Sequence, residues 1–308
     1  MIFPLKRDNM LLLHAAFICM GILTYLLVFT LLRDAVSLLG GPSINRFAIL
    51  FLAVLAVTVG MLKATKGIRI VRVEVPVKNL SPELEGFKIA QISDLHIGPT
   101  IGKKFVSQIV ERTNNENPDI VVFTGDIGDA SVKNHLADSE PLSQLKTKFG
   151  MYYVPGNHEY YHNASEWMAR FTGLGMKVLI NDGFQFKVQN QTFLVAGVPD
   201  PASSQSIEPE KPLRLFQNNA FKLLLSHRPE VAERVPALDY DLILAGHTHG
   251  GQFFPWTLVA MLDHRYYLGL YQLEKGHIYV SAGTGSWGPL LRLGTTSEIT
   301  ILELKKAQ

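Results

Sequence analysis

Residues able to do chemistry recur in this chain at one kind of place, the point where a short apolar run stops. QISDLHIG carries Asp94 and His96, VVFTGDIGD carries Asp126, and YYVPGNHEYY carries Asn157 and His158. LLLSHRPE carries His227, and LILAGHTHGG carries His247 and His249. All are types that ligate metals or move protons. On an extended chain residues i and i+2 point to the same side, so Asp94 with His96, and His247 with His249, are each expected to face one cavity. Cα atoms so spaced lie roughly 7 Å apart, which suits one metal or two neighbours about 3.5 to 4 Å apart. Glycines beside Asp126, Asn157 and His249 would let backbone and substrate approach without a Cβ in the way.

Each block read singly has an ordinary explanation. A D-x-H can be a surface pair, a Gly-Asp at a strand end a turn, and the Asn of GNH a left-handed turn residue. His227 alone reads equally as a hydrogen-bonded core histidine or a helix cap. Asp129 and Glu159 read either as supports behind the ligands or as solvated carboxylates at strand ends. The single cysteine, Cys19, lies in an apolar run, so neither a disulfide framework nor a thiolate metal site can form within the chain. Any metal must be held by His, Asp, Glu or Asn. The net charge of +2 gives no reason to expect a nucleic-acid partner.

The elements that must position these groups are legible from periodicity. IRIVRVEVPV alternates like a strand with one buried face. FKIAQIS, DIVVFTG, GMYYVPG, TFLVAGV, FKLLLS, DLILAG and HIYVSAG read as buried strands ending in Gly, Ser or Asp. KKFVSQIVERTNNEN and EYYHNASEWMARFTGLG have helical periods, and their alternation with the strands predicts a layered α/β domain over 68–308. In such sheets ligands gather outside the carboxyl ends of the strands, where the polar groups collect here.

The first 67 residues differ. Met10–Leu32 is an uncharged run of 23 residues, long enough to cross a hydrocarbon core of about 30 Å. Phe47–Leu62 is a shorter run of 16, which Arg46 and Lys63 could extend by directing their charges outward. DAVSLLGGPSIN between them suits the turn of a helical hairpin, with spans over about 10–32 and 46–63. Lys6 and Arg7 precede the first run, and Lys63, Lys66, Arg69 and Arg72 follow the second. The positive-inside bias then predicts a multi-pass membrane protein with the catalytic domain in the cytoplasm.

In order, Asp94-Leu-His96, Gly125-Asp126-Ile-Gly-Asp129, Gly156-Asn157-His158-Glu159, His227 and Gly246-His247-Thr248-His249 resemble the signature of the calcineurin-like metallophosphoesterase superfamily. GNHEYY, GHTHGGQFFPW and the tail YVSAGTGSWGPLLRLGTTSEIT are similar to its membrane-anchored, YkuE-like branch. The resemblance covers about Ile68 to the C-terminus and implies a four-layer αββα sandwich with two divalent metal ions between the sheets. It implies that Asp94, His96 and His249 hold one metal, that Asn157, His227 and His247 hold the other, and that Asp126 bridges them. His158 would bind no metal and would act near the leaving group.

The chemistry this implies is hydrolysis of a phosphate ester or pyrophosphate. Two divalent cations set against two carboxylates, neutral imidazoles and an amide leave a net positive site that attracts phosphate without Lys or Arg. A metal-bound hydroxide, formed near neutral pH, would attack phosphorus in line. No Ser or Cys nucleophile motif competes with that reading, and the mixed N and O donors suit Mn, Fe, Zn or Co. FFPWTLVAML after the last histidines reads two ways: as an element packed in the core, or as a lip in which Phe253, Phe254 and Trp256 meet substrate or membrane. The second reading favours a lipid-linked substrate beside a bilayer that the N-terminal helices occupy. The alternatives are a general nucleotide or phosphodiester hydrolase and a non-catalytic metal-binding scaffold.

Overall fold

A computed structural model describes residues 10–215, 220–235 and 238–307. The chain opens with two long helices, α1 (Met10–Leu38) and α2 (Arg46–Lys66). By length and composition each could cross a bilayer. Helix α1 runs six residues past the expected Leu32, so Arg33 and Asp34 are helical and pair with each other. Gly40 at φ 78° reverses the chain, and the Asn45 side chain caps α2 by accepting from the Phe47 amide. Lys6 and Arg7, on which part of the expected orientation rests, lie outside the described residues.

The remaining elements follow in order: β1 (Arg69–Val77), β2 (Lys88–Ile92), α3 (Lys103–Asn115) and β3 (Ile120–Thr124). Next come α4 (Leu136–Ser139), β4 (Met151–Val154), α5 (Asn157–Tyr161), α6 (Ala164–Gly173) and β5 (Met176–Val178). The second half holds β6 (Asp182–Val188), β7 (Gln191–Gly197), α7 (Glu210–Leu215), β8 (Ala220–Leu225) and α8 (Val231–Arg234). It ends with β9 (Leu242–Ala245), α9 (Trp256–Asp263), β10 (Gly269–Gln272), β11 (His277–Val280) and β12 (Glu298–Lys306).

These strands form two six-stranded sheets, in the orders β1-β12-β2-β3-β4-β5 and β10-β11-β9-β8-β7-β6. β2 to β5 run parallel, as do β7, β8, β9 and β11. The ends of β2, β3 and β4 therefore lie along one edge of the first sheet, and those of β8 and β9 along one edge of the second. The sheets close on each other over Ile89, Val122, Val154, Val195, Leu223 and Leu244. Behind the first sheet, Ile109 of α3 and Trp167 and Phe171 of α6 pack on Ala90, Val121 and Phe123. Behind the second, Val231 and Ala232 of α8 pack on Leu224 and Ile243. The result is the four-layer αββα sandwich.

Two local readings change. The expected helix over EYYHNASEWMARFTGLG is two helices, because Asn163 takes φ 79° and caps α6 by accepting from the Glu166 amide. FFPWTLVAML is neither a core strand nor a core helix: α9 has no buried residue.

Phe193 is fully buried between the sheets, with its ring 4.9 Å from those of Phe87 and Phe221 and 5.1 Å from that of Phe186. Phe193→Ala is expected to lower stability by about 3–5 kcal/mol, read as the shift in denaturant midpoint at unchanged slope.

Candidate metal centre

Asp94 and His96 stand beyond β2, Asp126 beyond β3, Asn157 at the start of α5 after β4, His227 beyond β8, and His247 and His249 beyond β9. The geometry that turns them inward differs from extended alternation. Asp94, His96, Asp126, His247 and His249 all have positive φ, between 51° and 72°. A non-glycine residue is uncommon there, and such strain gathers at functional sites. Left-handed turns, rather than period-two alternation, aim these side chains at one point.

Backbone pairing holds the turns. The Asp94 amide donates to Gly125 O at 3.0 Å, that of His96 to Asp126 O at 2.9 Å, and that of Ile97 to Ile127 O at 2.8 Å. The loops after β2 and β3 thus continue as a pair beyond their strands. Glu159 secures the third loop. One of its carboxylate oxygens accepts from the amides of Ile127 and Gly128, the other from those of Asp126 and Gly156. Burial and the Asp126 charge pull Glu159 toward the acid form, while these N–H donors favour the carboxylate. Glu159 is fully buried, so the solvated reading of it falls. Gly156 is required by close approach: a Cβ there would lie 2.2 Å from Asp126 Oδ1.

The side chains converge as follows. His249 Nε2 lies 3.0 Å from His96 Nε2 and 3.4 Å from Asp94 Oδ1. His227 Nε2 lies 3.1 Å from Asp126 Oδ2, from Asn157 Oδ1 and from His247 Nδ1. Asp94, His96 and His249 form one group whose donor atoms lie within 4.8 Å of one another, and Asp126, His227 and His247 form a second. All seven expected residues are thereby brought together. A third such group is His96, Asp129 and His158. Asp129 gives one oxygen to His158 Nδ1 at 2.5 Å and to His162 Nε2 at 3.2 Å, and its other oxygen lies 3.3 Å from His96 Nδ1.

The histidines of the site are perturbed in opposite directions by their neighbours. His227 Nδ1 donates to Thr124 O at 2.8 Å, which turns its Nε2 toward Asp126 and Asn157. Burial alone would lower the His227 pKa; the Asp126 carboxylate outweighs it and raises that pKa to about 10. His247 goes the other way, to about 3, through burial and the neighbouring His227. His249 is driven well below the usual value by burial, His96 and Arg292. The Nε2 atoms of His96 and His249 lie 3.0 Å apart and face shared space, and a cation bound there would relieve that crowding. The residues present fit divalent metals in number, type and orientation.

Residues 87–251 match the profile of the family described as calcineurin-like phosphoesterase. The chain belongs to that family. It is similar to the transmembrane protein with metallophosphoesterase domain of Danio rerio, at 35% identity over 84% of this chain and 62% of that protein. To the Bos taurus protein of the same description it is 33% identical over 100% of this chain and 77% of that one. The uncharacterized metallophosphoesterase YkuE of Bacillus subtilis is 30% identical over 72% of this chain and 80% of its own length. The chain thus spans under two thirds of the zebrafish relative. A solved putative 5'-nucleotidase from Staphylococcus aureus is similar in outline only, at 14% identity over 72% of this chain and 55% of that one, with TM-score 0.42.

Phe253 is buried, with its ring 6.2 Å from Tyr25 of α1, so it meets the hairpin rather than substrate. Phe254 and Trp256 are exposed. Two residues beside the site were not singled out in the sequence. Arg292 is completely buried; its guanidinium donates to the carbonyls of His249 at 3.0 Å, Ala282 at 2.6 Å and Gly285 at 2.5 Å, and lies 3.2 Å from His249 Nδ1. Trp287 is exposed, with its ring 5.9 Å from that of His158. Both lie in the tail YVSAGTGSWGPLLRLGTTSEIT, whose resemblance to the YkuE-like branch was the available signal but gave neither residue a role.

Glu159→Ala would strand four buried N–H donors at about 1–3 kcal/mol each. It is expected to destabilise the domain by at least about 3 kcal/mol, and Glu159→Gln by less because one acceptor remains. Denaturant unfolding of the two variants checks this; equal stability of Glu159→Ala and wild type would refute the clamp.

Proposed function

We propose that the chain is a membrane-anchored phosphoesterase that hydrolyses a phosphate ester or anhydride at a dinuclear metal centre. The observation that carries this reading is the convergence of seven N and O donors on two adjoining points, with Asp126 next to both sets. Asp94, His96 and His249 would hold one ion, Asn157, His227 and His247 the other, and Asp126 both. Mn, Fe, Zn and Co all suit these donors. Such ions supply a water that ionises near neutral pH and a positive field for the phosphoryl oxygens.

The chain's own residues do the rest. The Asp126 carboxylate accepts from the His158 amide at 2.8 Å, which fixes the start of α5 and with it the imidazole. Burial disfavours a proton on His158, but Asp129 and Asp126 outweigh it and hold its pKa above the ordinary histidine value. Asp129 takes Nδ1, so the proton available to a leaving oxygen is on Nε2, 4.0 Å from Asp126 Oδ2. The His158 side chain keeps 13% of its surface exposed, enough for a substrate oxygen to meet Nε2.

The two apolar helices, and the naming of relatives as transmembrane proteins, support anchoring in a bilayer. Basic residues at the end of α2 and beyond, Lys63, Lys66, Arg69 and Arg72, support a cytoplasmic catalytic domain on a two-span anchor. Fusion of a reporter to the C-terminus tests this: activity is expected from a reporter that works only in the cytoplasm, and activity only outside it reverses the orientation. Anchoring favours a phosphoester carried by a lipid, and the exposure of Phe254 and Trp256 shortly after His249 supports that reading.

Chelation is expected to abolish turnover of bis-p-nitrophenyl phosphate, and one of the four candidate ions to restore it. Asp126→Asn is expected to lower metal content and turnover together; full turnover with metal retained would contradict the bridging role. His158→Ala is expected to retain its metal while losing about 10²- to 10⁴-fold in kcat. Full metal occupancy of wild type with no turnover across phosphomonoesters, diesters and lipid phosphates would favour a binding scaffold.

A further inference from the structure

The catalytic domain does not hang below the hairpin. It grips it partway along. Leu291 is wedged against Gly21 of α1 and Gly60 of α2, where added Cβ atoms would lie 2.7 and 3.0 Å from its methyl carbons. The Arg292 amide donates to Gly60 O at 3.0 Å, and Tyr25, Ala53, Val57, Phe253 and Leu291 form a closed cluster. From Tyr25 to the end of α1 at Leu38 only roughly 20 Å of helix extends beyond this grip, at 1.5 Å per residue. A hydrocarbon core is about 30 Å thick. If the hairpin reaches across, the domain surface around the grip lies about 10 Å below the membrane surface, the depth at which interfacial helices sit.

That surface is built for such a place. Helix α9 starts three residues after Phe253, and Trp256, Leu258, Val259, Met261 and Leu262 are 48–83% exposed, with Asp263 the only charge in the helix. Trp287 is 54% exposed, and the next residue, Gly288, faces Phe17 and Met20 of α1. Soluble surfaces rarely gather so many large apolar groups. Both features also rim the metal centre. Trp287 stacks edge-on to His158, while α9 runs into His264, whose ring lies 6.1 Å from that of His247.

We propose that α9 and Trp287 insert into the same bilayer leaflet as the base of the hairpin, and that the mouth of the metal centre opens at the lipid headgroup level. This rests on the reading of α1 and α2 as a bilayer anchor, and it narrows the substrate class to phosphoesters whose phosphate lies at that level, presented from within the leaflet rather than from bulk water.

The chain has three tryptophans, and Trp167 is buried in the core, so it serves as an internal reference. The full chain is reconstituted in phosphatidylcholine–phosphatidylglycerol vesicles, with or without bromine on the acyl chains, and floated on a density gradient. Expected is co-flotation, with bromolipid quenching of wild-type emission that is reduced in W256F and in W287F and absent in W256F/W287F. Co-flotation with no loss of quenching in W256F overturns the insertion of α9 and leaves the anchor standing. Failure to float overturns both. Turnover of a water-soluble diester by the wild type in detergent reports separately on the hydrolase reading.

Discussion

Seven electron-pair donors held within a few ångströms repel one another, and the fold has to impose that arrangement. It does so through backbone conformation. Five of the donors sit at positive φ, a region in which L-residues are strained, so each loop must be overdetermined by its surroundings. The pairing of the loops after β2 and β3, the four amides on Glu159 and the Thr124 carbonyl on His227 provide this. The same constraint explains why the parallel strands matter. Only strands that all run the same way deliver their ends, and hence their loops, to one edge.

Sheet-to-sheet alignment is the second requirement, because the donors come from both sheets. Gln91 of β2 reaches across to donate to Ala245 O of β9 at 2.9 Å, and both oxygens of Asp94 accept from the His247 amide at 3.1 Å. A slip between sheets would break these bonds together with the donor geometry. The aromatic ladder of Phe87, Phe186, Phe193 and Phe221 resists such a slip by packing, since close-packed rings have few alternative registers.

Much of this was legible in the sequence, for a physical reason: a buried parallel strand is a short apolar run, and a strand-end ligand follows it directly. β2, β3, β4, β8 and β9 have that form, and β7 and β11 are apolar runs of the same kind without a ligand. β12 was not legible, because EITILELKK mixes charge with apolar residues and its partners β1 and β2 lie far away in the chain. β5 and β10 are too short to carry a period, and the Gly and Gln of DGFQFKV blur β6. The site residues were readable as types, but the left-handed turns that aim them were not, since nothing in D-x-H states a φ angle. The role of Arg292 was not legible because its partners are backbone carbonyls, which leave no mark in the residue pattern.

Leu291 and Arg292 join the two halves of the molecule at adjacent residues. One side chain fills the space between the helices of the hairpin; the next reaches the carbonyl of a candidate metal ligand, and the backbone between them is tied to Gly60. A guanidinium with no exposed surface would be costly if its N–H groups were unpaired. Here burial lowers its pKa to about 10, while the Glu298 and Asp94 charges oppose that. Its two terminal nitrogens donate to the carbonyls of His249, Ala282 and Gly285, which ties three loop segments to one side chain. Stripping the hairpin away would expose Phe253 and Leu291 and free the loop that carries Arg292. The two apolar helices are thus packed continuously with the candidate metal centre, and the boundary between hairpin and α/β layers, clean in the sequence, does not exist in the packing.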